Sequence, residues 1–190
     1  MEEPETGWLV TAAADGDPAA WQELVHRFSG LVWSIARAHR LSDADAADVT
    51  QTTWLRLAEH IGKLNAPDRV GAWLATAARR ECLAQIRVGH RVVVSEDMAA
   101  FERVPDGDNP TEDEVLAAES EREDAHRAQV LWQAVGQLPD RCRELIRVLM
   151  ASPPPSYAEV AAALGLPVGS IGPTRARCLQ RLRDAVRDRI

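Results

Sequence analysis

The stretch from Ser156 to Arg187, SYAEVAAALGLPVGSIGPTRARCLQRLRDAVR, restricts the fold more than any other part of the chain. Ser156 followed three residues later by Glu159 is the S-x-x-E spacing of a capping box, which starts a helix. Ala158, Ala161, Ala162 and Leu164 give that short helix a slim apolar face. Gly165, Leu166 and Pro167 interrupt it, and Gly169 and Ser170 open a longer helix in which Ile171, Leu179, Leu182 and Val186 share one side. Arg175, Arg177, Arg181 and Arg183 stand among them, with no acid before Asp184. A short helix, a tight glycine-containing turn and an arginine-rich helix make a helix-turn-helix, whose second helix fits a DNA major groove. For these residues alone, the bland alternative is a helical hairpin with a solvated basic face.

A net charge of −7 argues against a nucleic-acid partner until it is divided along the chain. Residues 1–90 carry −3, residues 91–124 carry −9 and residues 125–190 carry +5. The acidity is concentrated in the middle, and the helix-turn-helix end is basic.

Upstream, helical periodicity recurs and no convincing strand or repeat interrupts it. Asp17-Pro18 is a helix start, with the acid as cap and proline in the first turn. Trp21, Leu24, Val25, Phe28, Leu31, Val32 and Ile35 then follow helical spacing. Ser42 with Asp45 caps a second helix to about Ile61, with Thr50, Trp54, Leu57 and Ile61 expected inward and a mixed polar stripe outward. Gly62 to Gly71, GKLNAPDRVG, is expected to be a loop, because Pro67 and two glycines oppose helix. A third helix runs from about Val70 to Val88, with Trp73, Thr76, Arg80, Leu83 and Arg87 along one stripe and Arg79 beside them. Arginines next to an aromatic can grip phosphates and stack on unpaired bases, although Trp73 fits a core equally well.

Residues His90 to Pro110 lack a sustained helical period and are punctuated by prolines, and with the acids that continue to Asp124 they fit a flexible acidic linker. Thr111 and Glu114 can cap a helix entering the second domain. There Leu131, Val135 and Leu138, then Cys142, Leu145, Ile146 and Leu149, supply apolar faces, and Pro153-Pro154-Pro155 stops the chain before the helix-turn-helix. The expected fold is all-α: two small helical domains, 1–90 and 125–190, joined by the acidic linker 91–124.

Other classes find little support. No apolar run is long enough to span a bilayer, and MEEPETG lacks signal-peptide character. Cys82, Cys142 and Cys178 are far apart and form no CxxC pair, so structural thiols in a reduced cytoplasm are expected. The five histidines are scattered, so no metal site is expected. No cofactor is expected, and without a Gly-rich phosphate loop or paired catalytic group the chain is not expected to be an enzyme.

Taken in order, these segments resemble the extracytoplasmic-function (ECF) group of bacterial sigma factors, within the sigma-70 family. WLVTAAADGDPAAWQELVHRF is similar to that group's opening helix, and DAADVTQTTWLRL to its polymerase-binding segment. WLATAARRECLAQIR resembles its −10 promoter helix, and the stretch from Leu138 to Arg183 its −35 module. The chain also departs from the pattern. Thr52 stands where an acid is usual, Arg80 where asparagine is usual in A-R-N, and Gln85 where aspartate is typical. Ser170-Ile171-Gly172-Pro173-Thr174 replaces the common T-V-K-S-R, which removes two cations from the start of the last helix.

The resemblance implies a non-enzymatic factor that binds core RNA polymerase and directs promoter recognition, DNA melting and transcription initiation. Asp48, Gln51, Thr52 and Leu55 would dock on the clamp of the largest subunit, and the flap region would be a second contact. Lys63, Asn65, Arg69, Trp73, Arg79, Arg80 and Arg87 would serve the −10 element, and Tyr157, Ser170, Thr174, Arg175, Arg177 and Arg181 the −35 element. Promoter DNA and an anti-sigma protein are the further partners implied, in the cytoplasm and without membrane insertion. Two rivals remain open: a stand-alone helix-turn-helix regulator that binds DNA without polymerase, and a helical protein that sequesters a partner.

Overall fold

Side-chain caps at Asp17, Ser42 and Ser156 start three of the helices in the computed structural model, which describes residues 5–87 and 129–187. The linker 91–124 and the Thr111–Glu114 cap lie outside the described residues. Helix α1 (Thr6–Ala14) buries Leu9 and Val10 and ends where Gly16 takes φ +94°. It is a separate helix, because only glycine turns the backbone this way without strain. Asp17 then caps α2 (Pro18–Ala38), its carboxylate accepting from the amides of Ala19 at 2.8 Å and Ala20 at 3.4 Å. Leu24, Phe28, Leu31, Val32 and Ile35 are buried as the periodicity requires, while Trp21 and Val25 sit half-buried at the edge of that face.

Helix α3 (Asp43–His60) starts at Ser42, whose hydroxyl accepts from the Asp45 amide at 3.1 Å. Its inward face is rotated from the expected one. Ala46, Val49, Thr53 and Leu57 are buried, whereas Thr50, Trp54 and Ile61 are half-buried. Thr53 can be buried because its hydroxyl donates to the Val49 carbonyl at 2.7 Å. Trp54 instead meets Trp21 edge-on, 6.1 Å between ring centroids.

The segment expected as loop contains two 3₁₀ turns, Ile61–Lys63 and Pro67–Arg69. Pro67 begins the second rather than preventing it, since a first-turn residue needs no amide donor. Helix α4 (Val70–Arg87) follows.

The described part of α5 covers residues 129–136. Val135 and Leu138 are buried as expected, together with Ala134, but Leu131 is exposed. Helix α6 (Asp140–Leu149) buries Cys142, Leu145, Ile146 and Val148.

Helix α7 (Tyr157–Leu164) has both halves of the capping box: the Ser156 amide donates to Glu159 Oε2 at 2.6 Å, and the Glu159 amide to Ser156 Oγ at 3.3 Å. Its buried residues are Val160, Ala161 and Ala163, and Ala158 is exposed. Gly165 closes it in the left-handed conformation at φ +65°, the usual end of a helix before a tight turn.

Helix α8 (Val168–Arg187) completes the helix-turn-helix. It begins before Pro173, which therefore lies in the second turn and not in the first. The residues fully buried on it are Ile171 and Cys178, with Leu179, Leu182 and Val186 half-buried.

Cys142 and Cys178 are joined in a disulfide, which corrects the expectation of free thiols there. Both lie on the buried sides of their helices, and their Cα atoms are 5.3 Å apart, within bonding reach. Cys82 is free and buried.

The two helical domains abut. Helix α7 lies along α4 and α6 along α2, and buried residues of both join one apolar cluster. Polar contacts border the seam: Arg40 pairs with Asp140 at 3.2 Å, and Arg147 reaches the Arg37 carbonyl at 3.5 Å. Among the described residues no helix is long and apolar enough to cross a membrane.

Candidate nucleic-acid and polymerase interface

Rotation of α3 about its axis decides which side chains are left for a partner. With Val49, Thr53 and Leu57 inward, Asp48, Gln51 and Leu55 point to solvent and Thr52 is half-buried between the two faces. Leu55 is 60% exposed, unusual for a leucine flanked by polar neighbours. Arg56, beside it, is engaged with Glu81 of α4 at 2.9 Å.

The residues expected at the −10 element divide into two groups. Lys63 and Arg69 are exposed on the 3₁₀ turns, Asn65 is exposed between them, and Arg80 and Arg87 are exposed on α4. Trp73 is half-buried, packed against the core, with its ring 6.4 Å from that of His60. Arg79 is set apart from Arg80. It is half-buried and its guanidinium lies beneath Gly165, in the turn of the helix-turn-helix.

Arg79 has a neighbour that the sequence reading missed. His39, following α2, is half-buried, and its Nε2 is buried without a hydrogen-bond partner among the described residues. Burial, and secondarily the positive charge of Arg79, hold its pKa below the ordinary histidine value. Nothing in the sequence around Ala38-His39-Arg40 marks this position, because the burial comes from elements far along the chain. Cys82, deeper in α4, is likewise affected: burial pushes its thiol up to about 12, which makes it inert.

In the helix-turn-helix, Tyr157, Arg175, Arg177 and Arg181 are exposed, and Ser170 and Thr174 are half-buried. The Tyr157 hydroxyl accepts from Arg175 Nη1 at 3.2 Å, which places Arg175 at the N-terminus of α7. Arg177 instead donates to Thr174 Oγ1 at 3.4 Å. Two residues along a helix means about 200° around it, so these arginines face different ways. Ser170, Thr174, Arg177 and Arg181 share one stripe, and Arg175 belongs to the other side with Tyr157. Ser170 Oγ donates to the Pro167 carbonyl at 2.7 Å, which leaves its lone pairs free to accept.

The disulfide was also missed. The signal was available, since Cys142 falls in phase with Leu145 and Ile146, and Cys178 with Ile171 and Leu182. Among the described residues, no cluster of potential ligands could hold a metal ion.

Residues 24–92, which span α2 from its first turns through α4, match the family Sigma-70 region 2. Over 186 residues the chain is 28% identical to the ECF RNA polymerase sigma factor SigE of Mycolicibacterium smegmatis, an alignment covering 96% of this chain and 68% of that protein. The fold is similar to that of CnrH, solved in complex with the cytosolic domain of CnrY, with a TM-score of 0.59 and 24% identity over 97% of this chain and 99% of that one. The chain thus carries a Sigma-70 region 2 match over residues 24–92 and is similar over nearly all of its own length to an ECF RNA polymerase sigma factor, in an all-helical fold that ends in a helix-turn-helix.

Proposed function

We propose that this sigma factor docks on the clamp of the polymerase largest subunit through the outward stripe of α3, with Leu55 as the apolar anchor and Asp48, Gln51 and Thr52 around it. Directing transcription initiation is what the family does, and core polymerase and promoter DNA are its partners. The observation that carries the docking assignment is the 60% exposure of Leu55 on a helix whose opposite face is fully packed. A helix offering one apolar side chain among polar ones suits a groove on a partner. Members of this group are initiation factors and the polymerase performs the chemistry, so the chain contributes positioning and strand recognition in the cytoplasm.

Lys63, Asn65 and Arg69 would contact an extruded base and its phosphates at the −10 element. Reading a flipped base favours the melted strand, because the recognition energy is available only once the base has left the stack. Arg80 and Arg87 would follow the backbone, and Trp73 and Arg79 would join them after the adjoining helices separate.

At the −35 element, α8 would enter the major groove with Ser170, Thr174, Arg177 and Arg181 toward the DNA. Tyr157 and Arg175 would meet a phosphate at the N-terminus of α7, where the unpaired amides and the helix dipole favour an anion. A protein that binds this chain and keeps its two domains packed would act as an anti-sigma factor, and CnrH has a protein partner in CnrY.

Run-off transcription with purified core polymerase over a genomic promoter library tests the reading. Sequence-selective transcripts that need both proteins support it. Promoter binding without polymerase, or no transcript with it, would overturn it in favour of an autonomous regulator or a sequestering protein.

A further inference from the structure

The helix that carries Arg177 and Arg181 is thinly anchored. Of the residues of α8, Ile171 and Cys178 are the buried ones. The side-chain hydrogen bonds described for Arg177, Gln180 and Arg183 stay inside the helix, with Thr174, Asp184 and Gln180 respectively. The bond from Cys178 to Cys142 therefore fixes one of the two fully buried side chains of α8, beside the partly buried Leu182 and the Arg175–Tyr157 contact with α7, and it ties the middle of the helix to α6. Ala134, Ala151, Ala161 and Ala163 stand among the buried residues of this small unit, beside Val135, Leu138, Leu145, Ile146, Val148 and Val160. Small helical units with slight side chains inside gain most from a covalent staple.

We propose that the Cys142–Cys178 disulfide is a redox latch on the recognition helix: oxidised, it holds α8 in the posture that reads the −35 element, and reduced, it lets α8 loosen so that −35 reading weakens. The inference rests on the assignment of α8 to the −35 element given above. The reductant is a dithiol of the thioredoxin class. One of its thiolates attacks a sulfur of the bridge and the other cysteine leaves as a thiolate, which takes up a proton. The second thiol of the dithiol then closes its own disulfide and frees the remaining cysteine. Two electrons and two protons pass to the cysteine pair and none are left over. A small-molecule disulfide such as oxidised glutathione reverses the exchange. Cys142 is 5% exposed and Cys178 1%, so exchange requires a transient opening of α8 and the latch responds slowly. Cys82 lies on α4 and takes no part.

The test uses the full chain in two states, oxidised and treated with dithiothreitol, verified by alkylation after denaturation. One thiol is blocked in the first state and three in the second. Amide exchange along α8 is then measured, together with affinity of the polymerase holoenzyme for a promoter library randomised over the −35 element. The expected result on reduction is exchange about tenfold faster or more in α8, with smaller changes in α2 and α3. Affinity for the preferred −35 sequences should fall roughly tenfold as the staple is lost. Cys142→Ser/Cys178→Ser should match the reduced chain under both conditions, and Cys82→Ala should respond to redox state as the natural chain does. Equal α8 protection in the two states, or undiminished −35 affinity in the reduced chain, overturns the latch. Failure of the −35 assignment itself looks different: the oxidised holoenzyme would ignore −35 sequence while the exchange difference persisted, and the DNA consequence would be withdrawn with it.

Discussion

The guanidinium of Arg79 on α4 lies directly against Gly165, the left-handed residue that closes α7: a Cβ at position 165 would come within 2.8 Å of Arg79 Cζ and Nη2. One arginine of the −10 set is therefore covered by the turn of the −35 module. The neighbouring contact is similar, since a side chain on Gly71 would overlap the Glu159 carboxylate and approach the Phe28 ring at 2.7 Å. Arg79 is half-buried in this packing, whereas Asp48, Gln51 and Leu55 on the outward stripe of α3 are exposed.

Gly165→Ala should destabilise the protein by about 1–2 kcal/mol, since it adds strain at positive φ to displacement of Arg79. Gly169→Ala is the matched control. It sits inside α8 with nothing within 4 Å of the added carbon, and should be neutral or stabilising by up to about 1 kcal/mol. Chemical denaturation of both variants measures the difference. A Gly165→Ala protein as stable as the natural one would contradict the close packing of this turn.

Replacing Gln51 and Leu55 together with alanine should weaken binding to core polymerase by roughly 2 kcal/mol or more if Leu55 is the anchor. The melting temperature should shift little, because both side chains are exposed. A titration of labelled protein with core polymerase, beside a thermal melt, reads both. Intact binding would show that another face docks.

Arg177→Ala and Arg175→Ala should differ in kind. Arg177 shares a stripe with Thr174 and Arg181, and its loss should cost about 1–3 kcal/mol at preferred −35 sequences and relax preference at one base pair. Arg175, held by Tyr157, should weaken all sequences about equally and flatten the salt dependence. Selection from a randomised −35 library distinguishes them, and identical profiles for the two variants would refute their separation around α8.

His39 should make stability pH-dependent. Its folded pKa lies below its unfolded value, so between the two the unfolded chain binds more protons. The stabilisation from keeping it neutral is complete above about pH 6.5 and declines as pH falls through the folded pKa. Melts at pH 7.5 and pH 5.5 should show a loss on acidification that His39→Gln reduces. An equal loss in both proteins would mean that other groups govern the acid limb.

The sequence by itself determined the local features. The capping pairs Ser42–Asp45 and Ser156–Glu159, the proline at the head of α2 and the glycine closing α7 each act within a few residues, and each appears where the spacing places it. The all-helical class and the likeness to a sigma factor were legible for the same reason, since periodicity and motif order are properties of the linear chain. Rotation of α3 by one register, burial of Cys178 in place of a leucine stripe on α8, and the contact of Arg79 with Gly165 were decided only by tertiary structure. Each depends on which helix arrives from far along the chain. Thr53 can turn inward because its hydroxyl bonds its own backbone while Trp54 meets Trp21. Cys178 can be buried because Cys142 lies opposite, 36 residues away. Arg79 is covered because α7 packs on α4. A helical pattern states which faces are apolar, but partner and register are chosen when the faces are packed together, because close packing rewards only particular pairings of shape.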